Sequence, residues 1–178
     1  VTALPTRLDL RPMAADDVDE LFAIFSQAAM WAYDPPAVHR AREQTADYVR
    51  RAAARWDTDG LSYWTARLRA TGEVVGSGGA QRHAPGHWNL NYRVAPAHQG
   101  RGLAGEVLAA ALDAAAAHDA DAPCIAFIDL GNPASWRVAR RGGLADQGLR
   151  RGSVDGVVRH AWADRPLDDA TYPPVEGA

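Results

Sequence analysis

Residues 89–105 constrain this chain more than any other stretch. Asn89-Leu-Asn-Tyr-Arg-Val94 alternates polar and apolar side chains, as a strand with two unlike faces does. Ala95-Pro96-Ala97-His98 is a short link, because proline cannot continue a strand ladder. Gln99-Gly-Arg-Gly-Leu-Ala-Gly105 then turns on glycine and opens into an alanine-rich segment, where a long helix is expected over residues 102–118. Strand, glycine turn and helix N-terminus in this order suit one task. Glycines let the backbone approach a ligand closely, and the first N–H groups of a helix have no partner within it. Together they can hold a phosphorylated group on bare backbone.

The remaining chain sets the frame around this stretch. Leu8-Asp-Leu-Arg-Pro12 alternates as a first strand, and Asp16 and Asp17 open a helix expected over 15–27. A loop with Met30, Trp31 and Tyr33 follows, then a second helix over 38–56, ended by Asp57-Thr-Asp-Gly60. Strands over 61–69, 74–80 and 89–94, joined by short turns, make an antiparallel meander. Cys124-Ile-Ala-Phe-Ile-Asp-Leu130 is nearly all apolar, which suits a strand buried on both faces. With the helix before it, it predicts one parallel crossover in an otherwise antiparallel sheet. Asn132-Pro133 is a helix start, Gly142-Gly143 closes that helix, and a hairpin across Gly152-Ser-Val-Asp-Gly156 ends the sheet. One domain over 1–178 is expected, with a core over about 5–165 and a loose tail over 166–178.

Composition removes several classes of function. All nineteen basic residues are arginine, so a P-loop nucleotidase and a Schiff-base enzyme, both of which need lysine, are excluded. A formal net charge of -3 gives no sign of nucleic-acid binding. The single cysteine, Cys124, excludes an intrachain disulfide and a cysteine-rich zinc site, and in its apolar run it reads as a small core residue. No metal is expected. No apolar run reaches the roughly 18 residues of a membrane span and no signal sequence opens the chain, so a cytoplasmic protein is expected.

Gly100-x-Gly102-x-x-Gly105 matches the dinucleotide fingerprint in form. Three features oppose that reading. The preceding strand alternates, whereas the first strand of a doubly wound sheet is buried on both faces. The motif comes halfway along the chain, leaving too few residues for the remaining parallel strands. The acid after the next strand, Asp129, lies farther on than the roughly 20 residues expected for a ribose-binding carboxylate.

Gln99-x-x-Gly102-x-Ala104 resembles the pyrophosphate motif of the GNAT superfamily of acyl-CoA N-acetyltransferases. Asn132-Pro-Ala-Ser135 through Arg141-Gly-Gly143-Leu144 resembles that family's second block. Arg7-Leu-Asp-Leu-Arg-Pro12, Thr71-Gly-Glu-Val-Val-Gly76 and Tyr92-Arg-Val94 are similar to the branch that acetylates ribosomal-protein N-termini. The resemblance spans about residues 5–165. It implies an α/β GNAT fold: a mixed, mainly antiparallel sheet of about seven strands flanked by helices and splayed between strands 4 and 5. It implies acetyl-CoA as acyl donor and a primary amine, either a small molecule or a peptide N-terminus, as acceptor. A homodimer is compatible with it, and no nucleic acid or membrane partner is implied.

The family's site maps onto this chain residue by residue. Backbone groups of Arg93 and Val94 would hold the pantetheine arm, and the N–H groups of Gln99, Gly100, Arg101, Gly102, Leu103 and Ala104 the pyrophosphate. Asn132 would contact CoA, Arg140 its adenosine phosphate, and Ser135 would place a hydroxyl near the sulfur. Trp31, Tyr33 and Trp64 would line the acceptor cleft. Two family features are missing. The tyrosine used as general acid would fall at Ala139, and the strand-4 carboxylate would fall at Asn89. Of the residues able to take the amine's proton, His87 is nearest the matching strand. Two alternatives stand beside this reading: a non-catalytic acyl-CoA-binding module, and an NAD(P)-binding oxidoreductase.

Overall fold

A computed structural model describes residues 6–152 and 155–175. Seven strands form one sheet: β1 (Leu8–Pro12), β2 (Tyr63–Leu68), β3 (Val74–His83), β4 (His87–Val94), β5 (Cys124–Ile128), β6 (Ala145–Arg151) and β7 (Val158–Ala163). Their order is β1-β2-β3-β4-β5-β7-β6, antiparallel throughout except where β4 runs parallel to β5. The helices are α1 (Val18–Phe25), α2 (Arg42–Asp59), α3 (Leu103–His118) and α4 (Pro133–Arg141). The expected α/β GNAT-type sheet, with its single parallel crossover through α3, is the observed one.

Boundaries differ from expectation at several elements. Residues 15–17 form a 3-10 turn before α1, and two further such turns, at Ala28–Trp31 and Pro35–Ala37, come before α2, which starts at Arg42. Helix α2 runs on to Asp59 because Gly60, at φ 71, supplies the left-handed cap. Strand β3 continues past Ala80 to His83, where it pairs with His87, so the turn there is only Ala84-Pro85-Gly86. Within the closing hairpin, Ser153 and Val154 lie outside the described residues.

Alternation along the strands divides the core. Trp64 and Ala66 of β2 and Trp88 and Leu90 of β4 point to the face covered by α3, where Val107, Leu108, Ala111 and Ala115 are wholly buried. The alanines let α3 lie close, and β3 meets it with glycine. A Cβ on Gly78 would stand 2.3 Å from the Asn91 carbonyl and 2.5 Å from a Val107 methyl. The other face carries Tyr63, and over it α1 and α2 pack Leu21, Phe25, Val49 and Ala52. Farther across that face, Leu167 and Tyr172 cover Ile125, Ala161 and Ala163.

That last contact replaces the loose tail expected over 166–178. Asp169 pairs with Arg150 at 2.8 Å, and the Val175 N–H donates to the Leu149 carbonyl at 3.0 Å. Residues 167–175 thus act as a strap on the sheet, while 176–178 lie outside the described residues. Between the α1/α2 layer and this strap, the face is left partly open.

Candidate active site

Strands β4 and β5 part early. Their parallel pairing comprises Trp88↔Cys124 and Asn89↔Ile125. Beyond it lies a narrow groove of about 90 Å³, with Asn91, Tyr92 and Arg93 on one wall, Ala126 to Asp129 on the other, and Asn132 and Ser135 at the start of α4. Asn132 caps α4, its Oδ1 accepting from the Ser135 N–H at 3.1 Å. The Tyr92 hydroxyl donates to the Ser135 carbonyl at 3.3 Å, and burial pushes the Tyr92 phenol upward.

The loop after β4 is an anion cradle. Gln99 Nε2 donates to the Val94 carbonyl at 3.0 Å and pins the loop to the strand end. Gly100 and Gly102 have φ 74 and 81, conformations open to glycine, and Gly102 is the N-cap of α3. Of the six N–H groups expected to line the cradle, that of Gln99 is taken by the Pro96 carbonyl at 3.3 Å. Those of Gly100, Arg101, Gly102, Leu103 and Ala104 have no acceptor among the described residues. Five free donors at a helix N-terminus fit a pyrophosphate. Glu106 in the first turn would repel one, but Arg7 pairs with it at 2.6 Å and also donates to the Arg101 carbonyl at 2.7 Å. Arg140 stands exposed in the last turn of α4, outside the groove lining.

The groove opens on the partly open face into a cavity of about 230 Å³. Trp31, Tyr33 and Asp34 come from the loop after α1, Tyr63 from β2, Asn89, Asn91 and Arg93 from β4, and Arg159 from β7. Asn89 Nδ2 donates to the Tyr63 hydroxyl at 3.0 Å, and burial, the largest influence, pushes that phenol up to about 12. Arg159 donates to both Asp129 and Asp155 at 2.8 Å. The Arg93 guanidinium lies 5.0 Å over the Trp31 ring.

Trp31 and Tyr33 are therefore at the cavity, but Trp64 is not. It is 8% exposed and packs in the core beneath α3, because Tyr63 and not Trp64 has the strand parity of the open face. His87 is also outside groove and cavity. Its ring is fully buried, edge-on to Phe127 and Tyr172, near the strap that the sequence reading left loose. Burial, then His83 and Arg82, bring His87 down to about 4. A histidine held neutral there stands apart from both groove and cavity. Its depressed folded-state value means the unfolded chain binds the extra proton, so stability is lost as pH falls from about 6.5 towards 4. His87→Gln is expected to remove up to ~3 kcal/mol of that loss between those values, read by denaturant titration across pH.

Sequence reasoning missed Asp34, Tyr63, Asn91, Tyr92 and Arg159 as site residues. For Asn91 a signal existed, since it shares strand parity with Asn89 and Arg93. Arg93 was expected to serve through its backbone, yet its side chain forms a cavity wall. Cys124 behaves as expected of a core residue: it is 4% exposed, and burial, then Asp164, push its thiol up to about 12.

The acetyltransferase (GNAT) domain family matches residues 7–145, about four-fifths of the chain. No curated protein matches the sequence. Among solved structures, a protein described as a GNAT-family acetyltransferase from Bordetella pertussis is 25% identical, with TM-score 0.73 over 92% of this chain and 98% of that one. A phosphinothricin acetyltransferase from Sinorhizobium meliloti, solved with acetyl-CoA, is 19% identical, with TM-score 0.67 over 97% and 96%. A ribosomal L7/L12 alpha-N-protein acetyltransferase, solved with coenzyme A, is 21% identical, with TM-score 0.71 over 93% and 97%. The last two likenesses concern the fold alone. Sheet order, parted strands, glycine cradle and family match agree, and the chain belongs to the GNAT acetyltransferases, whose acyl donor is acetyl-CoA.

Proposed function

We propose that this protein moves the acetyl group of acetyl-CoA onto a primary amine seated in the cavity between α1, β4 and the β6–β7 hairpin. The observation that carries this reading is the shared wall. Tyr33, Asn91, Arg93, Phe127 and Asp129 line both groove and cavity, so a thioester laid in the groove would face an amine in the cavity. This continuity also favours a transferase over a module that only binds acyl-CoA.

In this reading the free N–H groups of residues 100–104 hold the pyrophosphate, with Arg101 adding charge, and Asn132 and the backbone of Arg93 and Val94 border the pantetheine arm. Asp34 replaces His87 as the base. It lines the cavity, and among the described residues its carboxylate has no hydrogen bond or ion pair. The amine nitrogen attacks the thioester carbonyl, a C–N bond forms, and the C–S bond breaks. An acceptor that arrives as the ammonium first gives one proton to Asp34, directly or through one water, and on to solvent; the second, released from nitrogen once the C–N bond has formed, passes to solvent. The thiolate leaves the groove beside Tyr92 and takes a proton from solvent. Tyr92, kept protonated by its raised pKa, turns its hydroxyl from the Ser135 carbonyl to donate a hydrogen bond to the departing sulfur, taking the place of the tyrosine absent at Ala139. Ser135 borders the same point.

The direct check is product identification after incubating the protein with acetyl-CoA and a panel of primary amines and peptides. The expected product is an N-acetyl amine formed one for one with free thiol. Tyr92→Phe should lower kcat about tenfold with acetyl-CoA affinity unchanged, as loss of a hydrogen bond to a charged group would. Full activity in Tyr92→Phe would mean that Ser135 or water assists the departing sulfur instead.

A further inference from the structure

We infer that Arg93 is the receptor for an anionic group on the acceptor, and that the acceptor is a small amine carrying a carboxylate, an amino acid in the chemical sense. This rests on the reading above that the cavity seats the acceptor. Two arginines line that cavity, and they are in opposite situations. Arg159 is saturated by Asp129 and Asp155. Arg93 has no carboxylate partner among the described residues; around its guanidinium stand Trp31 and the hydroxyls of Tyr33, Tyr48 and Tyr63. Its Nε is closed off from water with no acceptor in reach.

A half-buried cation without an anion is costly to keep, and a protein interior normally supplies the partner itself. Here a carboxylate arriving with the substrate would supply it. A guanidinium fork suits a carboxylate, which it binds with two parallel hydrogen bonds. The ring of Trp31 meets the fork in a cation–π contact, and the Tyr33 hydroxyl that bonds it is neutral, so the charge of the fork is left unmatched. Asp34 is the other charged group of the cavity without a partner, and its sign is opposite. One free cation and one free anion in a single cavity match a zwitterion: an ammonium that gives up its proton to Asp34 and a carboxylate that docks on Arg93. A polyamine would meet Arg93 with like charge. At about 230 Å³ the cavity is below the roughly 300–1,000 Å³ usual for ligand pockets, which favours a small acceptor. Arg93 also borders the groove, so the anion would lie near the reacting nitrogen, as it does in an α- or β-amino acid.

The test uses the full chain saturated with coenzyme A, whose own binding is measured first by calorimetry and reports separately on the acetyl-CoA reading. The standard L-amino acids and their decarboxylated amines are then titrated as matched pairs, for example L-phenylalanine against phenethylamine. At least one L-amino acid is expected to bind about a hundredfold more tightly than its amine. The same pairs are assayed with acetyl-CoA, where the difference should lie in acceptor KM. Arg93→Met, which keeps an unbranched chain over Trp31, should abolish the discrimination and raise the melting temperature of the unliganded protein. Arg93→Lys should restore part of the discrimination. The inference is overturned if no amino acid binds, if the amines bind as well as the amino acids, or if Arg93→Met lowers kcat equally for both members of a pair. A lowered melting temperature in Arg93→Met with discrimination intact would make Arg93 a structural strut and overturn it equally.

Discussion

Gly102→Glu is expected to abolish acetyl-CoA binding while lowering the melting temperature by only a few degrees. Gly102 caps α3 at φ 81, and the N–H groups on either side of it are free. A glutamate there would put a side chain and a negative charge into the seat of the pyrophosphate. The fold should tolerate the change. A Cβ at this position finds Arg7 Nη2 at 3.5 Å, an ordinary contact, so the cost is that of a left-handed non-glycine residue, about 1–2 kcal/mol. At this chain length that is roughly 2–8 °C, and a carboxylate at a helix N-terminus returns part of it. Gly102→Ala carries the same backbone strain without the charge. It should therefore be slightly less stable than the glutamate variant yet retain measurable binding. Calorimetric titration of both variants separates the two effects. Unchanged affinity in Gly102→Glu would mean that the pyrophosphate sits elsewhere.

Asp34→Asn is expected to lower kcat by about a hundredfold near neutral pH, the usual range for removing a general base, with acetyl-CoA affinity preserved. The pH dependence carries the more specific signature. An alkyl amine is mostly protonated at neutral pH, and the base removes the proton that blocks attack. As pH rises, a growing share of the acceptor arrives already neutral, so the deficit of Asp34→Asn should shrink. A deficit that stays constant up to the pKa of the amine would assign Asp34 to binding and not to proton transfer.

The proposed acetyl-CoA half of the site is legible in the sequence because it is made of local backbone. A glycine turn, a helix N-terminus and a strand ended by Pro96 are contiguous, and their chemistry depends on chain order more than on packing. The fold was legible for a related reason: period-2 strands, one apolar strand and capped helices each carry their own signal. The proposed acceptor half is assembled from separate segments, four of which show the difficulty. Tyr33 and Asp34 sit in an aperiodic loop, Tyr63 on β2, Arg93 on β4, and Arg159 on a hairpin far along the chain. Their meeting depends on which face each strand residue takes and on how the loop after α1 folds back over the sheet. Trp64 was misplaced by one residue of strand parity, and His87 by the strap of residues 167–175, which covers it. Gln99 lost its expected N–H role because the 3-10 turn at Pro96–His98 uses that donor, while its side chain took a bracing one. Arg93 shows the same limit in another form: strand position places its backbone at the groove, but only the assembled cavity reveals a guanidinium left without an anion.

A crystal structure of the protein with coenzyme A bears most directly on the acetyl-transfer site. The pyrophosphate should rest on the N–H groups of residues 100–104, the pantetheine arm should lie between the parted β4 and β5, and the sulfur should stand near Tyr92 and Ser135 and open onto the cavity of Asp34 and Arg93. Coenzyme A bound with its sulfur away from that cavity, or bound outside the β4–β5 groove altogether, would contradict it.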